Sequence, residues 1–229
     1  MTTGTTSTGD NEAPYTVAIV AMGPSHADYL KECSQNSGSR FAVADETWAV
    51  NAMGGIIQHD RLFVMDALPY FAKVSREENP NLRGYKDWLP THKGPIYTQR
   101  RYEGFPGSVE YPLEDVLNSC GYAYANTTTA YALMYAIHLK VKHIKLYGMD
   151  FTYDKNRGFA EAGRACLEHW VRDACWRGIK VTIAPSSTLL DQSLGRPLYG
   201  YSTAPTVRVQ NGRFKVVYND PPYLQEVAS

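Results

Sequence analysis

The chain has 229 residues, 44% of them hydrophobic, with 23 lysines and arginines against 23 aspartates and glutamates, which is enough for one substantial core and short for two comfortable domains. Balanced charge excludes a global field that would draw the whole chain onto nucleic acid or an anionic membrane, so any such partner needs a local patch. Four cysteines without a Cys-x-x-Cys spacing indicate neither a zinc site nor a disulfide framework and suit a reducing cytoplasm, and no apolar run approaches the roughly 18 residues of a membrane span.

In chain order, residues 1–14 ("MTTGTTSTGDNEAP") are polar and read as a disordered tail. "TVAIVAM" (16–22) is short, β-branched and almost unbroken, as expected of a strand covered on both faces of a parallel sheet. Gly23-Pro24-Ser25 follows and leads into "SHADYLKEC", with Ser25 as N-cap and Asp28 three residues on. "TWAVNAM" (47–53) and "RLFVMDA" (61–67) repeat the strand signature and deliver Asn51 and Asp66 near their carboxyl ends. Residues 68–105 carry Pro, Gly, aromatic and basic residues without periodicity and read as a loop-rich insertion. Between Leu68 and Tyr102 seven cations face three acids, with Tyr85, Trp88, Tyr97 and Tyr102 interleaved. Such a mixture tracks a phosphate backbone and stacks bases, or simply solubilises a loop, so nucleic acid stays open as a partner.

Further on, Thr129–Lys140 reads as a Thr-capped helix, His143–Tyr147 as a strand with a turn to Asp150, then a helix stopped at Gly178 and a strand Ile179–Ala184. "TVRVQNGRFKVVY" is a hairpin around Asn211-Gly212. Strands alternating with helices predict an α/β, Rossmann-like, doubly wound, mostly parallel sheet over 15–200, with the insertion at 68–105 and a C-terminal β-hairpin and tail over 201–229.

The candidate chemistry lies at the carboxyl ends of these strands. The amides that open the first helix, with the Ser25 hydroxyl and the close backbone approach Gly23 allows, can cradle a phosphate, although Gly-Pro-Ser also makes an ordinary capped turn. Asn51 suits a ribose, base or phosphate and is equally a turn former. Asp66 suits a metal, a hydroxyl or a helix cap, and Thr127, Thr128 and Thr129 suit a second phosphate site or capping. "YGMDFTYD" sets Asp150, Tyr153 and Asp154 beyond a strand, with Arg157, Glu161 and Arg164 following. Carboxylates, phenols and guanidinium groups at a sheet's ligand edge serve group transfer from an activated phosphate. No Gly-x-Gly-x-x-Gly or Gly-Lys-Ser/Thr is present.

"AIVAMGPS", "WAVNAM", "RLFVMD", "TTTAYALMYAIHLKVKHIKLYGMDFTY" and "GIKVTIAPSSTLL" together resemble the bacterial lipooligosaccharide sialyltransferase family and its relatives, the hydroxymethylpterin diphosphokinase-like proteins and flagellin motility accessory factors. The resemblance runs from about Tyr15 to Leu190. It implies a Rossmann-like fold and a nucleotide-sugar donor, with Gly23, Pro24, Ser25, Asn51 and Thr128 at the nucleotide and Tyr153 beside the leaving phosphate. Where that family has a histidine base, "TYDKNRGFAEAGRA" has none, and Glu161 stands nearest the place. The expectation is a cytoplasmic glycosyltransferase with Glu161 or Asp150 as the acceptor's base, needing no metal, and a glycan, small molecule or hydroxylated DNA base as acceptor. The alternatives are a pterin-type pyrophosphokinase, in which Asp66 and Asp150 hold magnesium, and a non-enzymatic binder of a nucleotide derivative.

Overall fold

A computed structural model of the chain describes residues 16–69, 85–152, 156–194, 205–210 and 213–218. The expected tail over 1–14, Tyr153 and three of the seven cations of 68–105 (Lys73, Arg76 and Arg83) lie outside them. Seven parallel strands form one sheet in the order β5-β4-β3-β2-β1-β6-β7: β1 Thr16–Val20, β2 Glu46–Val50, β3 Arg61–Phe63, β4 Ile96–Thr98, β5 Ser108–Glu110, β6 His143–Tyr147 and β7 Lys180–Ile183. This is the Rossmann-like α/β architecture expected. The hairpin is present as an antiparallel pair, β8 Pro205–Gln210 and β9 Arg213–Tyr218.

Side-chain alternation builds two cores, one on each face of the sheet. From β1, Val17 and Ile19 enter one core, with Trp48, Phe63, Leu133 and Leu167. Ala18 and Val20 enter the other, with Tyr29, Leu62 and Met53. The helix α1 (His26–Gln35) serves the second core through Tyr29. The helices α2 (Leu113–Cys120), α3 (Thr128–His138) and α4 (Arg157–Trp176) serve the first. Every residue of β1 is buried, because both faces are covered. Right-handed crossovers then require the chain to step outward from β1 to β5 with helices on one side, and to return through α2 and α3 to place β6 against the free edge of β1. The order therefore reverses between β1 and β6.

Two of the expectations need correction. The segment 68–105 is not wholly an insertion: Ile96–Thr98 is strand β4, hydrogen-bonded between β3 and β5. A three-residue strand is too short to show periodicity, and its aromatic member, Tyr97, serves packing by stacking on Phe63 at 5.0 Å. Asp28 also does not complete a capping box: its carboxylate accepts hydrogen bonds from the Ser186 N–H and hydroxyl, at 2.9 and 2.7 Å.

Away from the carboxyl edge, a polar cluster fixes the register of β2, β3 and β4. Glu46 accepts from Arg61 Nε at 2.7 Å and Trp48 Nε1 at 2.6 Å, and Arg61 donates to the Tyr97 hydroxyl at 2.8 Å. The paired carboxylate and phenol hold Arg61 charged against the cost of burial, raising its pKa.

At the reversal, the ends of β1 and β6 nearly touch. A Cβ on Gly148, whose φ is +69°, would overlap the Ala21 carbonyl group. Gly148→Ala is therefore expected to cost ~3 kcal/mol or more, whereas Gly121→Ala, equally left-handed at φ +81° but facing open space, costs about 1–2 kcal/mol. Denaturant unfolding of the two variants checks this, and equal losses would mean that backbone strain and not the contact governs the junction.

Candidate functional site

A cleft of about 380 Å³ opens at the carboxyl ends of the strands, at the topological switch point. Four groups of residues form its walls: Ala21 to Gly23 after β1, Val50 and Asn51 after β2, Met65 and Asp66 after β3, and Gly148 to Phe151 after β6. Ala125 to Thr129 and Tyr131, around the start of α3, complete it with Phe159 of α4. Helix α4 comes close to this wall because Gly163 has no side chain: a Cβ there would sit 2.9 Å from both Phe151 and Thr127.

The Gly-Pro-Ser turn is used differently from the phosphate cradle considered above. Ser25 is buried, and its hydroxyl accepts the Gly148 N–H at 2.9 Å. Its own amide donates to Asp150 Oδ2 at 2.7 Å. The next amides, of His26, Ala27 and Asp28, are taken by the carbonyls of Gly23, Pro24 and Ser25. Gly23 is required by contact, since a Cβ would lie 2.6 Å from both the Gly148 oxygen and Asp150 Oδ2. Of the three turn residues, Gly23 lines the cleft while Pro24 and Ser25 stand behind it. Asp150 also lines the cleft, but its second oxygen, Oδ1, accepts the Thr188 N–H at 2.9 Å. Both oxygens thus bind backbone.

Asn51 carries the clearest functional signal. Its backbone is left-handed at φ +53°, a conformation unfavourable for L-residues in general, although asparagine adopts it more readily than most. Its Oδ1 is shielded from solvent and has no hydrogen-bond partner. An orphaned acceptor and a strained backbone on one cleft-lining residue mark a place held ready for a ligand donor.

Thr127 caps α3, its Oγ1 accepting the Ala130 N–H at 3.2 Å and pairing with Thr129 Oγ1 at 2.8 Å. Thr128, the first residue of the helix, lines the cleft beside it. The positive end of the α3 dipole therefore faces the cavity. Asp66 lines the opposite wall, where desolvation raises its carboxyl pKa. Glu161 lies exposed on α4 and is not part of the wall. The described lining residues thus hold two carboxylates and no lysine, arginine or histidine. Among the described residues, no group of three or more His, Cys, Asp or Glu is placed to hold a metal ion.

The structure thus brings Gly23, Asn51, Asp66, Thr128 and Asp150 to one cavity, and leaves Pro24, Ser25 and Glu161 outside its wall. Sequence reasoning passed over Tyr131, Phe151 and Phe159, the aromatic side of the cleft. The glycine inside "EAGRA" signalled the close approach that puts Phe159 there. The chain matches no protein-family model and no curated protein, so the site is read from its own geometry.

Asn51→Gly is expected to leave stability equal or higher, because it relieves the left-handed strain, while weakening any ligand of the cleft. Thermal unfolding with and without ligand separates the two effects. Asp66→Asn has a pH signature. A carboxyl with a raised folded pKa opposes folding once ionised, so wild type and variant should match near pH ~4. The variant should gain stability as pH rises through the raised pKa, and keep it at neutrality. A gain largest in acid would contradict the assignment.

Proposed function

We propose that the chain is a transferase that takes a sugar from a nucleotide-sugar donor held in the switch-point cleft. The observation that carries this reading is Asn51, strained and unsatisfied where an open parallel sheet receives its ligand. Its Oδ1 is an acceptor for an N–H or hydroxyl of a base or ribose. The amides that open α3, with the Thr128 hydroxyl, would take the phosphate, since those of α1 are spent within the fold. Tyr131, Phe151 and Phe159 supply apolar faces for a base or sugar ring.

With no cation among the described lining residues, the cleft suits a donor of low phosphate charge. For the acceptor's base, Asp66 is favoured over the two carboxylates named from sequence. Glu161 is outside the wall, and each oxygen of Asp150 is already held by a backbone amide, which ties that carboxylate into the fold. A carboxyl whose pKa desolvation raises is also the better base.

The pterin-type pyrophosphokinase reading has one observation in its favour, the two carboxylates in the cleft. Against it, the Asp150 carboxylate is tied to two backbone amides, and among the described residues no group of three or more His, Cys, Asp or Glu is placed to hold a metal ion. Nucleic acid as acceptor rests on the basic residues of 68–105, of which Lys73, Arg76 and Arg83 lie outside the described residues.

A thermal-shift screen with CMP, UDP, GDP, ADP and their sugar conjugates, each with and without magnesium, tests the proposal. One nucleotide at ~100 times its Kd should stabilise by about 2.7 kcal/mol, and Asn51→Ala should abolish the shift. Stabilisation that strictly requires magnesium, with AMP as product, would favour the pyrophosphokinase. No shift with any nucleotide would remove the nucleotide reading.

A further inference from the structure

Two histidines 33 residues apart meet beside the turn that carries Asn51. His59 Nε2 and His92 Nε2 are 2.9 Å apart, and their rings are nearly parallel, 9° between planes, with centroids 5.0 Å apart. The other ring nitrogens determine where the protons sit. His59 Nδ1 faces the Ile57 carbonyl at 2.9 Å and must donate, so its Nε2 is bare. His92 Nδ1 accepts the Gly94 N–H at 2.9 Å, so its Nε2 carries the hydrogen. The bond therefore runs from His92 Nε2–H to His59 Nε2 between two neutral imidazoles in opposite tautomers.

No proton can be added to this pair without breaking a bond. Protonation of His59 Nε2 sets N–H against N–H, and protonation of His92 Nδ1 displaces the Gly94 amide. The charged groups facing His59 are Asp60 and Arg40, which form a two-pronged ion pair with each other. The titratable group facing His92 is His59 itself, and the indole of Trp88 packs on the His92 ring at 5.6 Å.

The pair fastens the segment around Trp88 to His92 onto the turn Asn51–Gly55. A Cβ on Gly55 would lie 2.6 Å from Trp88 Nε1, and one on Gly54 3.1 Å from Trp88 Cη2. That turn begins at Asn51, where the left-handed backbone needs external support.

We propose that the His59–His92 pair is a pH-sensitive latch that holds Asn51 in its cleft geometry and releases it in acid. The inference rests on the reading of the cleft as a ligand site, which it supplies with regulation. Burial lowers the pKa of both rings, and a charge on His59 lowers that of His92 further. The sign follows: the open form binds protons below its ordinary value of ~6.5 while the closed form resists them. The latch is thus fully closed above that pH and loses stability as pH falls through the window down to the lowered values.

Imidazole 15N shifts and amide hydrogen exchange, corrected for intrinsic rates, test this without any ligand. Failure of nucleotide binding, which would remove the proposed function, therefore leaves these readouts interpretable. Above pH 7, His59 should show the Nδ1–H and His92 the Nε2–H tautomer. From pH ~6.5 downward the opening constant of the Ile56, Ile57 and Gly94 amides should rise by up to about tenfold per pH unit for each linked proton. The Asn51 side-chain amide resonance should move with the same midpoint, while β1 and β6 amides stay unchanged. In a His59→Gln, His92→Gln chain the pH dependence should vanish. Like tautomers in the two rings, pH-independent opening in the wild type, or an Asn51 resonance that ignores the transition would overturn the proposal, and the wild-type spectra decide even if the double variant does not fold.

Discussion

The Asp150 carboxylate is the junction on which the carboxyl edge of the sheet depends. It stands in the turn after strand β6, accepts the amide that opens α1 and accepts the Thr188 amide of the loop after β7. Ser25 returns the connection by accepting the Gly148 amide. Three separate stretches of chain, brought together by the reversal of strand order, are thus tied through charge-assisted hydrogen bonds, which are stronger than those between neutral groups. The junction tolerates no extra atoms, as the contacts at Gly23 and Gly148 show. Its rigidity makes a fixed floor for the cleft above it.

The same junction decides which parts of the cleft can meet a ligand. Once Asp150 and local carbonyls have taken the amides of α1, an anion-attracting helix end stays at the cavity in the start of α3. Asn51 stands opposite, held in a costly conformation by packing that reaches away from the cleft through Gly54, Gly55 and Trp88 to the histidine pair. Local strain of this kind persists where the surroundings over-determine it. The site therefore depends on a layer of residues that never touch its contents.

The sheet was largely legible in the sequence, and for a physical reason. Strands buried on both faces must be continuously apolar, and β1 is recognisable as such from composition alone. Strands β4 and β5 were not, because three residues cannot display a period. Asn51 and Asp66 were found because strand ends in open α/β sheets point at ligands, a rule of topology. The Gly-Pro-Ser turn shows the limit of local reasoning: its glycine and serine are as a phosphate cradle would require, yet the partner that uses them is Asp150, 125 residues away from Ser25. The histidine pair was equally invisible, since neither residue sits in a pattern and only the fold makes them neighbours.

The proposed nucleotide-derived ligand would complete Asn51 by donating to its unpartnered Oδ1. A co-crystal structure with the nucleotide that stabilises the chain most would test this directly. Ligand density is expected in the cleft above the carboxyl ends of β1, β2, β3 and β6, with a donor within hydrogen-bonding distance of Asn51 Oδ1 and the phosphate against the start of α3. Density at another surface, or a ligand in the cleft that leaves Asn51 Oδ1 without a partner, would contradict it.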